Sequence, residues 1–297
     1  EDTDRERSSE ESEKSILGDL RWLNLDWDEG PDTGGDFGPY RQSERKDFYI
    51  EAADKMVSSG KAYPCYCTKE ELEERRSLRL KKGESVQYDG TCRNLSPEEI
   101  TAFEQEGRNP VIRFRSEERD IRVDDLVQGD VFFQGDTIGD FVLVRQNGMP
   151  MYNFCCVVDD HHMAITHVIR GDDHLSNTPR QIAVYRAFGW KPPVFAHIPM
   201  ILGPDKNRLS KRHGATSVSR YREMGYLPEA VVNFLSLLSW SSASGDEILT
   251  RKRLIDEFDF SRVSKSPAVF DVKKLDWMNG NYIRNLDKEK LGELFAS

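Results

Sequence analysis

The strongest indication of the fold is the segment Ala164–His174, AITHVIRGDDH, in which a mostly apolar run ends in a charged cluster. We interpret Ala164–Ile169 and the earlier run Phe154–Val158 as strands buried on both faces, as is typical of parallel sheets. A helical pattern follows at Thr178–Phe188 and ends at Gly189. Strands that alternate with helices predict an α/β fold with a doubly wound, nucleotide-binding (Rossmann-like) sheet.

The charged cluster predicts a ligand site at the end of this strand. Open parallel sheets bind ligands outside the carboxyl ends of their strands, which is where Arg170 lies. A guanidinium can bind a carboxylate through two parallel hydrogen bonds. The alternative is an internal ion pair between Arg170 and Asp172 or Asp173. The residues alone favour neither interpretation.

A basic segment, NRLSKRHG at Asn207–Gly214, follows the apolar run Phe195–Leu202 and the turn Gly203–Asp205. We interpret the apolar run as a buried strand and the basic segment as an exposed loop. A lysine on such a loop can stabilise charge that develops on a pyrophosphate. Without its flanks, the loop would more often be a solvated basic turn.

Composition limits the classes of protein to consider. A chain of 297 residues can form two or three domains. We expect an intracellular protein without membrane contact, because no apolar run approaches the roughly 20 residues of a spanning helix and no signal peptide pattern is present. Five cysteines, an odd number, indicate reduced thiols or metal ligation. A net charge of −10 argues against indiscriminate nucleic-acid binding but allows local basic faces.

Several short motifs are distributed over almost the whole chain. They are EDTD at 1–4, GPYRQS at 38–43, YDG at 88–90, GDDH at 171–174, NTPRQ at 177–181, RLSKR at 208–212, YLPEA at 226–230 and LDWMNG at 275–280. Together they resemble glutamyl-tRNA synthetase, a class I aminoacyl-tRNA synthetase, of the bacterial or organellar type. Because many motifs share the resemblance, no single one has to support it.

The resemblance implies four regions. Residues 1–62 would be the first part of the catalytic domain, and residues 63–150 an inserted α+β domain that binds the tRNA acceptor end. Residues 151–212 would complete the catalytic domain with a KMSKS-like loop, and residues 213–297 would form a helical stem-contact domain. The family's His-Ile-Gly-His-type ATP signature and anticodon-binding domain are not in the sequence. We therefore expect a fragment that is inactive alone.

The implied reaction is ATP-dependent ligation of L-glutamate to tRNA(Glu) through a glutamyl-adenylate, with Mg²⁺-bound ATP as a substrate. Such a reaction requires positioning and charge stabilisation but no enzyme nucleophile. We expect a monomer. Its location would be cytoplasmic in a bacterium, and plastid or mitochondrial in a eukaryote.

The resemblance also implies roles for individual residues. Stabilisation of the leaving pyrophosphate is expected from Lys211, Arg208 and Arg212. Glutamate binding is expected from Glu1, Tyr152, Arg170, Asp172 and Asp173. ATP binding is expected from Asp173, His174, Met200, Ile201 and Lys211. For Glu1 and Tyr152 the alternatives are a solvated carboxylate and a core tyrosine whose hydroxyl is satisfied.

The spacing Cys65-x-Cys67 followed by Tyr88-x-x-x-Cys92 predicts either a zinc site or three buried, reduced thiols. Thiolates are preferred zinc ligands, and a structural site takes four ligands. Some family members with zinc have a Tyr-x-x-x-Cys pattern at this position, which would make Tyr88 the fourth ligand.

Three other functions fit parts of the pattern. The nearest is glutamyl-queuosine tRNA synthetase, a shortened relative, and a second is a non-catalytic tRNA-binding protein derived from a synthetase. A metal-dependent hydrolase is suggested by Asp159-Asp160-His161-His162. We reject the hydrolase because adjacent residues of a strand point in alternate directions and cannot all bind one ion.

Overall fold

The computed structural model describes residues 2, 8–117, 120–135, 138–210, 217–289 and 291–292, which contain both helices and strands. The helices are α1 (Glu10–Trp22), α2 (Lys46–Ser58), α3 (Lys69–Lys81), α4 (Pro97–Gln105), α5 (Tyr152–His162), α6 (Thr178–Phe188), α7 (Val218–Glu223), α8 (Pro228–Ser236), α9 (Arg251–Glu257) and α10 (Val272–Arg284). The strands are β1 (Ala62–Cys65), β2 (Val111–Phe114), β3 (Asp120–Asp125), β4 (Gly129–Gln134), β5 (Val142–Val144), β6 (His167–Gly171), β7 (Val194–Ile198), β8 (Ile201–Leu202) and β9 (Ala268–Val269). None of the helices in these ranges has the length and apolar composition to cross a bilayer.

The described strands form three sheets. The central sheet has the order β4-β3-β7-β6, in which β3, β7 and β6 are parallel and β4 pairs antiparallel with β3. The second sheet, β1-β2-β5, is antiparallel, and the third pairs β8 with β9 in parallel. Side chains of α2, α5 and α6 pack with the first two sheets in one hydrophobic core. The predicted α/β class is therefore confirmed.

Local sequence signals define several helix ends. Thr68 and Glu71 form a capping box at the start of α3, in which each side chain accepts a hydrogen bond from the other's backbone amide. An equivalent box precedes α4. Helix α6 ends at Gly189, whose φ of 72° lies in the left-handed region that favours glycine.

The predicted strand Phe154–Val158 is wrong, because this run lies inside α5. Phe154, Val157 and Val158 stand at positions i, i+3 and i+4 and are fully buried. A short apolar run fits a buried helix as well as a buried strand, so only packing distinguishes the two. The strand predicted from Ala164 begins instead at His167, since Ala164 occupies a turn with a φ of 53°.

Two further differences concern strands. The run Phe195–Leu202 is divided between β7 and β8, which belong to different sheets. Strand β3 was not predicted. Its sequence, DIRVDD, buries every second residue, including Asp125. A charged residue on the buried face weakens the apolar alternation that normally identifies a strand.

Strands β3 and β4 lie within residues 63–150, the range predicted to form the inserted domain. Strand β3 nevertheless pairs with β7 of the central sheet. This segment of the chain therefore contributes to the sheet that carries Arg170. The domain boundaries themselves stay predictions.

A buried ion pair joins α2 and α5. Arg45, which is 1% exposed, donates from Nε to Asp159 at 2.6 Å. Gln42 and Tyr49 donate to the same carboxylate at 3.0 and 2.9 Å. Loss of one partner would leave a buried charge uncompensated, at a cost of about 3–5 kcal/mol. This network therefore holds the two helices in one relative position.

The neighbouring Asp160 provides a test of the burial of α5. Burial raises the pKa of Asp160 from 3.8 to about 6, although a hydrogen bond from Tyr185 opposes the shift. Its contribution to stability is thus present at low pH and lost as the pH rises through about 6. Asp160→Asn stays neutral at every pH. As the pH rises from about 4 to about 7.5, its free energy of unfolding relative to that of the wild type should therefore increase by about 1–2 kcal/mol.

Chemical denaturation at both pH values measures this difference in the free energy of unfolding. The matched control is Asp54→Asn, at an exposed position on α2. An equal effect of Asp160→Asn at both pH values would contradict the prediction.

Candidate functional site

Three polar side chains meet at the carboxyl ends of the parallel strands. Asp125 is the last residue of β3, His197 precedes the last residue of β7, and Arg170 precedes the last residue of β6. Arg170 and His197 are direct register partners across the two strands. Arg170 therefore lies at the strand end where the sequence predicted it, on the edge at which open α/β sheets bind ligands.

Hydrogen bonds fix the guanidinium of Arg170 through two of its three nitrogens, Nε and Nη2. Nε donates to His197 Nε2 at 3.1 Å, and Nη2 donates to Thr178 Oγ1 and Gln181 Oε1, each at 2.8 Å. Nη1 makes one long contact among the described residues, to the Tyr152 hydroxyl at 3.5 Å. Nη1 and the Tyr152 hydroxyl are therefore the groups best placed to meet a ligand.

The described residues do not form the internal ion pair between Arg170 and Asp172 or Asp173 that was the alternative interpretation. None of their carboxylates pairs with Arg170, and Asp173 pairs instead with Arg208 at 2.9 Å. Because Arg208 belongs to the basic segment after β8, this contact brings the two charged segments of the sequence together. Two other residues of this basic segment that were predicted to act in catalysis, Lys211 and Arg212, lie outside the described residues. Glu1 also lies outside them.

Tyr152 and His174 line the same edge. Tyr152 is the first residue of α5, not of a strand, and its hydroxyl lies 3.1 Å from His174 Nδ1. Both residues are half-buried, and their ring centroids are 5.5 Å apart. The tyrosine is thus not a fully buried core residue, and its hydroxyl lies between His174 and Arg170.

Gly171 allows the acidic pair to approach the strand end. A Cβ at this position would lie 2.6 Å from Asp173 Oδ1, closer than nonbonded atoms can approach. The adjacent Asp172 has one buried carboxylate oxygen, Oδ1, without a hydrogen-bond partner among the described residues. A side chain at residue 171 would therefore displace the carboxylate that holds Arg208.

A tight turn anchors the basic segment on the protein. Leu202 and Arg208 form an isolated antiparallel bridge, and the amide of Leu209 donates to the Ile201 carbonyl at 3.0 Å. Ile201 and Leu209 pack against a hydrophobic cluster of α7, α8 and α10. Met200 and Ile201, the expected ATP contacts, are half-buried beside this turn.

The residues that surround Arg170 are not among the site residues predicted from the sequence. These are Asp125, His197, Thr178 and Gln181, all buried. The signal was present in His197, a polar side chain within the apolar run of β7, because buried polar groups require partners. Burial lowers the pKa of His197, although its hydrogen bond to Asp125 opposes the shift. The imidazole is therefore neutral at pH 7.

A second cluster contains the predicted zinc ligands. The sulfur atoms of Cys65, Cys67 and Cys92 lie within 4.8 Å of one another, and those of Cys67 and Cys92 are 3.5 Å apart. Cys65 Sγ lies 3.3 Å from the Tyr88 hydroxyl. The structure thus brings together all four side chains that the spacing selected.

Hydrogen bonds within this cluster shift the pKa values of Cys65 and Cys67 in opposite directions. Contacts with Cys67 and Cys92 lower the pKa of Cys65, whereas the contact with Cys65 raises the pKa of Cys67. Burial and the cysteine contacts raise the pKa of Tyr88. Between these two cysteines, Cys65 is therefore the one whose thiolate form its neighbours favour.

Comparison with known proteins agrees with this arrangement. Similar relatives include a glutamate–tRNA ligase of Natranaerobius thermophilus, 59% identical over 98% of this chain, and one of Carboxydothermus hydrogenoformans, 56% identical over 99%. The crystal structure of a glutamate tRNA ligase from Elizabethkingia meningosepticum in complex with its amino acid superposes with a TM-score of 0.88, at 36% identity over 97% of this chain.

The chain spans 60% and 62% of the length of those two curated relatives and 62% of the crystallised chain. Residues 1–277 match the family model of tRNA synthetases class I (E and Q), catalytic domain. Since this match includes β6, the basic segment and most of the C-terminal helices, the chain belongs to the class I tRNA synthetases (E and Q) and carries their catalytic domain.

Proposed function

We propose that the protein to which this chain belongs ligates L-glutamate to tRNA(Glu) with ATP, through a glutamyl-adenylate. The observation that carries the proposal is the position of Arg170, a cation at the carboxyl edge of a parallel sheet. Its Nη1 lies 3.5 Å from the Tyr152 hydroxyl. The identity to glutamate–tRNA ligases over nearly the whole chain supports the same function.

Recognition of glutamate follows from charge. The distal carboxylate of the substrate accepts hydrogen bonds from Arg170 Nη1 and the Tyr152 hydroxyl, and Glu1 meets its ammonium group. A neutral glutamine side chain lacks the charge that balances the guanidinium. Discrimination against it is strong because the Arg170 guanidinium would be left without a balancing charge.

Activation of glutamate depends on the basic segment. A carboxylate oxygen of glutamate attacks the α-phosphorus of Mg²⁺-bound ATP, and the bond to pyrophosphate breaks. Arg208, with Lys211 and Arg212, stabilises the charge of the leaving pyrophosphate, while Asp173, His174, Met200 and Ile201 contact the nucleotide. A terminal ribose hydroxyl of tRNA then takes the glutamyl group, and AMP leaves.

A basic cavity beside the cysteine cluster fits the acceptor end of tRNA. It measures about 440 Å³, and its cationic lining consists of Lys69, Arg75, Arg76, Arg79 and Arg113. Lysine and arginine contacts to phosphates provide most of the affinity for nucleic acid. This cavity gives an otherwise acidic chain a local surface for RNA.

We also propose that Cys65, Cys67, Tyr88 and Cys92 hold a structural Zn²⁺. A tetrahedral site with Zn–S bonds of about 2.3 Å requires sulfur atoms about 3.8 Å apart. The 3.5 Å between Cys67 and Cys92 is close to this value, and the sulfur atoms all lie within 4.8 Å of one another. Arg75 donates to Cys67 at 3.7 Å and would support a thiolate ligand.

The function is tested by charging of tRNA(Glu) with labelled glutamate or glutamine by the full-length protein. We expect charging with glutamate only. Arg170→Gln should lower kcat/KM for glutamate at least about 100-fold because it removes the charge opposite the substrate carboxylate. Arg170→Lys, the matched control, retains the charge and should lose less. Absence of glutamate charging by the unaltered protein would refute the function.

Arg208→Ala tests the role of the basic segment in activation. The Arg208 side chain is 70% exposed, so its ion pair with Asp173 contributes at most about 1 kcal/mol to stability. The rate of charging should nevertheless fall about 100-fold, because charge on pyrophosphate loses its stabilisation. The control Lys14→Ala breaks an exposed pair on α1, in which the lysine is 76% exposed.

Thermal unfolding and steady-state charging are measured for both of these variants. Equal activities of Arg208→Ala and Lys14→Ala would be inconsistent with the assigned role.

Metal analysis tests the zinc proposal. Protein purified without chelator should contain about one zinc ion per chain, as a four-ligand structural site requires. Cys67→Ser and Cys92→Ser should each lose the metal and lower the unfolding temperature. Cys156→Ser, at a half-buried cysteine of α5, should retain it. Zinc-free protein from a chelator-free preparation would disprove the site.

A further inference from the structure

A line of hydrogen bonds connects the buried side chains of Asp125 and His197 to Arg170. Asp125 Oδ2 lies 2.5 Å from His197 Nδ1, and His197 Nε2 lies 3.1 Å from Arg170 Nε. The side chains of Asp125 and His197 are 0% exposed. The three residues come from β3, β7 and β6, adjacent strands of the central sheet.

Hydrogen-bond directions define the tautomer of His197. Arg170 Nε can only donate, so His197 Nε2 must accept and carries no proton. The proton lies on Nδ1 and is donated to Asp125. Thr178 Oγ1, at 3.1 Å from His197 Nε2, can donate to the same nitrogen while it accepts from Arg170 Nη2. Every contact in the line is then consistent with a neutral imidazole.

Backbone amides hold the far end of this line. Asp125 Oδ1 accepts from the amides of Val127, Gln128 and His197, at 3.0, 2.8 and 3.1 Å. With Oδ2 committed to the imidazole, the carboxylate cannot rotate without losing several hydrogen bonds. Asp125 is therefore a rigid anchor, and the orientation of the imidazole follows from it.

We propose that Asp125 and His197 are positioning residues that orient the Arg170 guanidinium and thereby set the specificity for a substrate carboxylate. The inference rests on the proposed function, in which Arg170 binds the distal carboxylate of glutamate. The line occupies Nε and helps to hold Nη2, which leaves Nη1 directed to the ligand side with the Tyr152 hydroxyl. A tilt of the guanidinium would move Nη1 away from the substrate.

Packing alone does not account for these residues. Burial of the Asp125 carboxylate and the His197 imidazole carries a desolvation cost that apolar side chains of similar volume would avoid. The line also ends on the cation at the ligand edge of the sheet, where orientation matters most. A fixed orientation is the property that such a polar line provides and an apolar core does not.

The tautomer can be tested without substrate. ¹⁵N NMR of the imidazole should report the Nδ1–H form of His197 in the unaltered protein. Asp125→Asn can donate an amide hydrogen to Nδ1 and would shift the ring to the Nε2–H form, in which two donors face each other at Arg170. Detection of Nε2–H in the unaltered protein would overturn the inference, whatever the protein charges.

Kinetics of the full-length protein test the consequence. Asp125→Asn should raise the KM for glutamate about 10- to 100-fold, while the KM for ATP changes less than about 3-fold. His197→Gln and His197→Leu form a matched pair, because only glutamine provides an acceptor near the position of Nε2. We expect the glutamine variant to keep a KM for glutamate at least about 5-fold lower than the leucine variant.

The outcomes separate a positioning role from a structural one. Equal KM values for glutamate in the two His197 variants, or a parallel change in both substrates with loss of thermal stability, would overturn the proposal. If Asp125→Asn fails to fold, the His197 pair decides. If the unaltered protein charges no glutamate, the proposed function fails. If it charges glutamate and Asp125→Asn leaves its KM unchanged, only this inference fails.

Discussion

The parallel pairing of β3, β7 and β6 is the constraint on which the candidate site depends. Parallel strands end at the same edge, so residues far apart in the chain meet there when their strands are in register. The pairing of Arg170 with His197, and of Asp125 with Phe195, brings three polar side chains into one line. A shift of one residue in either pairing would turn those side chains to the opposite face of the sheet.

Burial gives the two arginines of the site different properties. Arg170 has its Nε and Nη2 donors engaged by buried acceptors, and the neutral His197 adds no competing charge. Its position is therefore rigid, as the proposed selection between two side chains of similar size requires. Arg208 is 70% exposed, and its pair with Asp173 is screened by solvent. It can exchange the carboxylate for a phosphate at little cost, as its proposed contact with pyrophosphate requires.

Two other clusters each hold neighbouring segments together. The ion pair between Arg45 and Asp159 holds α2 against α5, and α5 begins with Tyr152. The cysteine cluster closes the start of α3 onto the segment around Tyr88. In both clusters polar or ionisable groups are buried with several partners, so the loss of one member leaves the others unsatisfied.

Sequence alone determined the features that depend on neighbouring residues. The capping boxes of α3 and α4, the glycine end of α6, the spacing of the four expected zinc ligands and the location of Arg170 at a strand end all follow from short-range rules. The motifs at 171–174 and 208–212 also indicated the family, to which the match over residues 1–277 assigns the chain.

Tertiary structure decided what depends on residues distant in the chain. It made Phe154–Val158 a helix, because the same apolar side chains satisfy either structure and only their packing selects one. It also paired β3 with β7, which brought Asp125 to His197 and the imidazole to Arg170. No local pattern specifies that contact, since the hydrogen-bond partner of a buried polar group is set by which strands lie side by side.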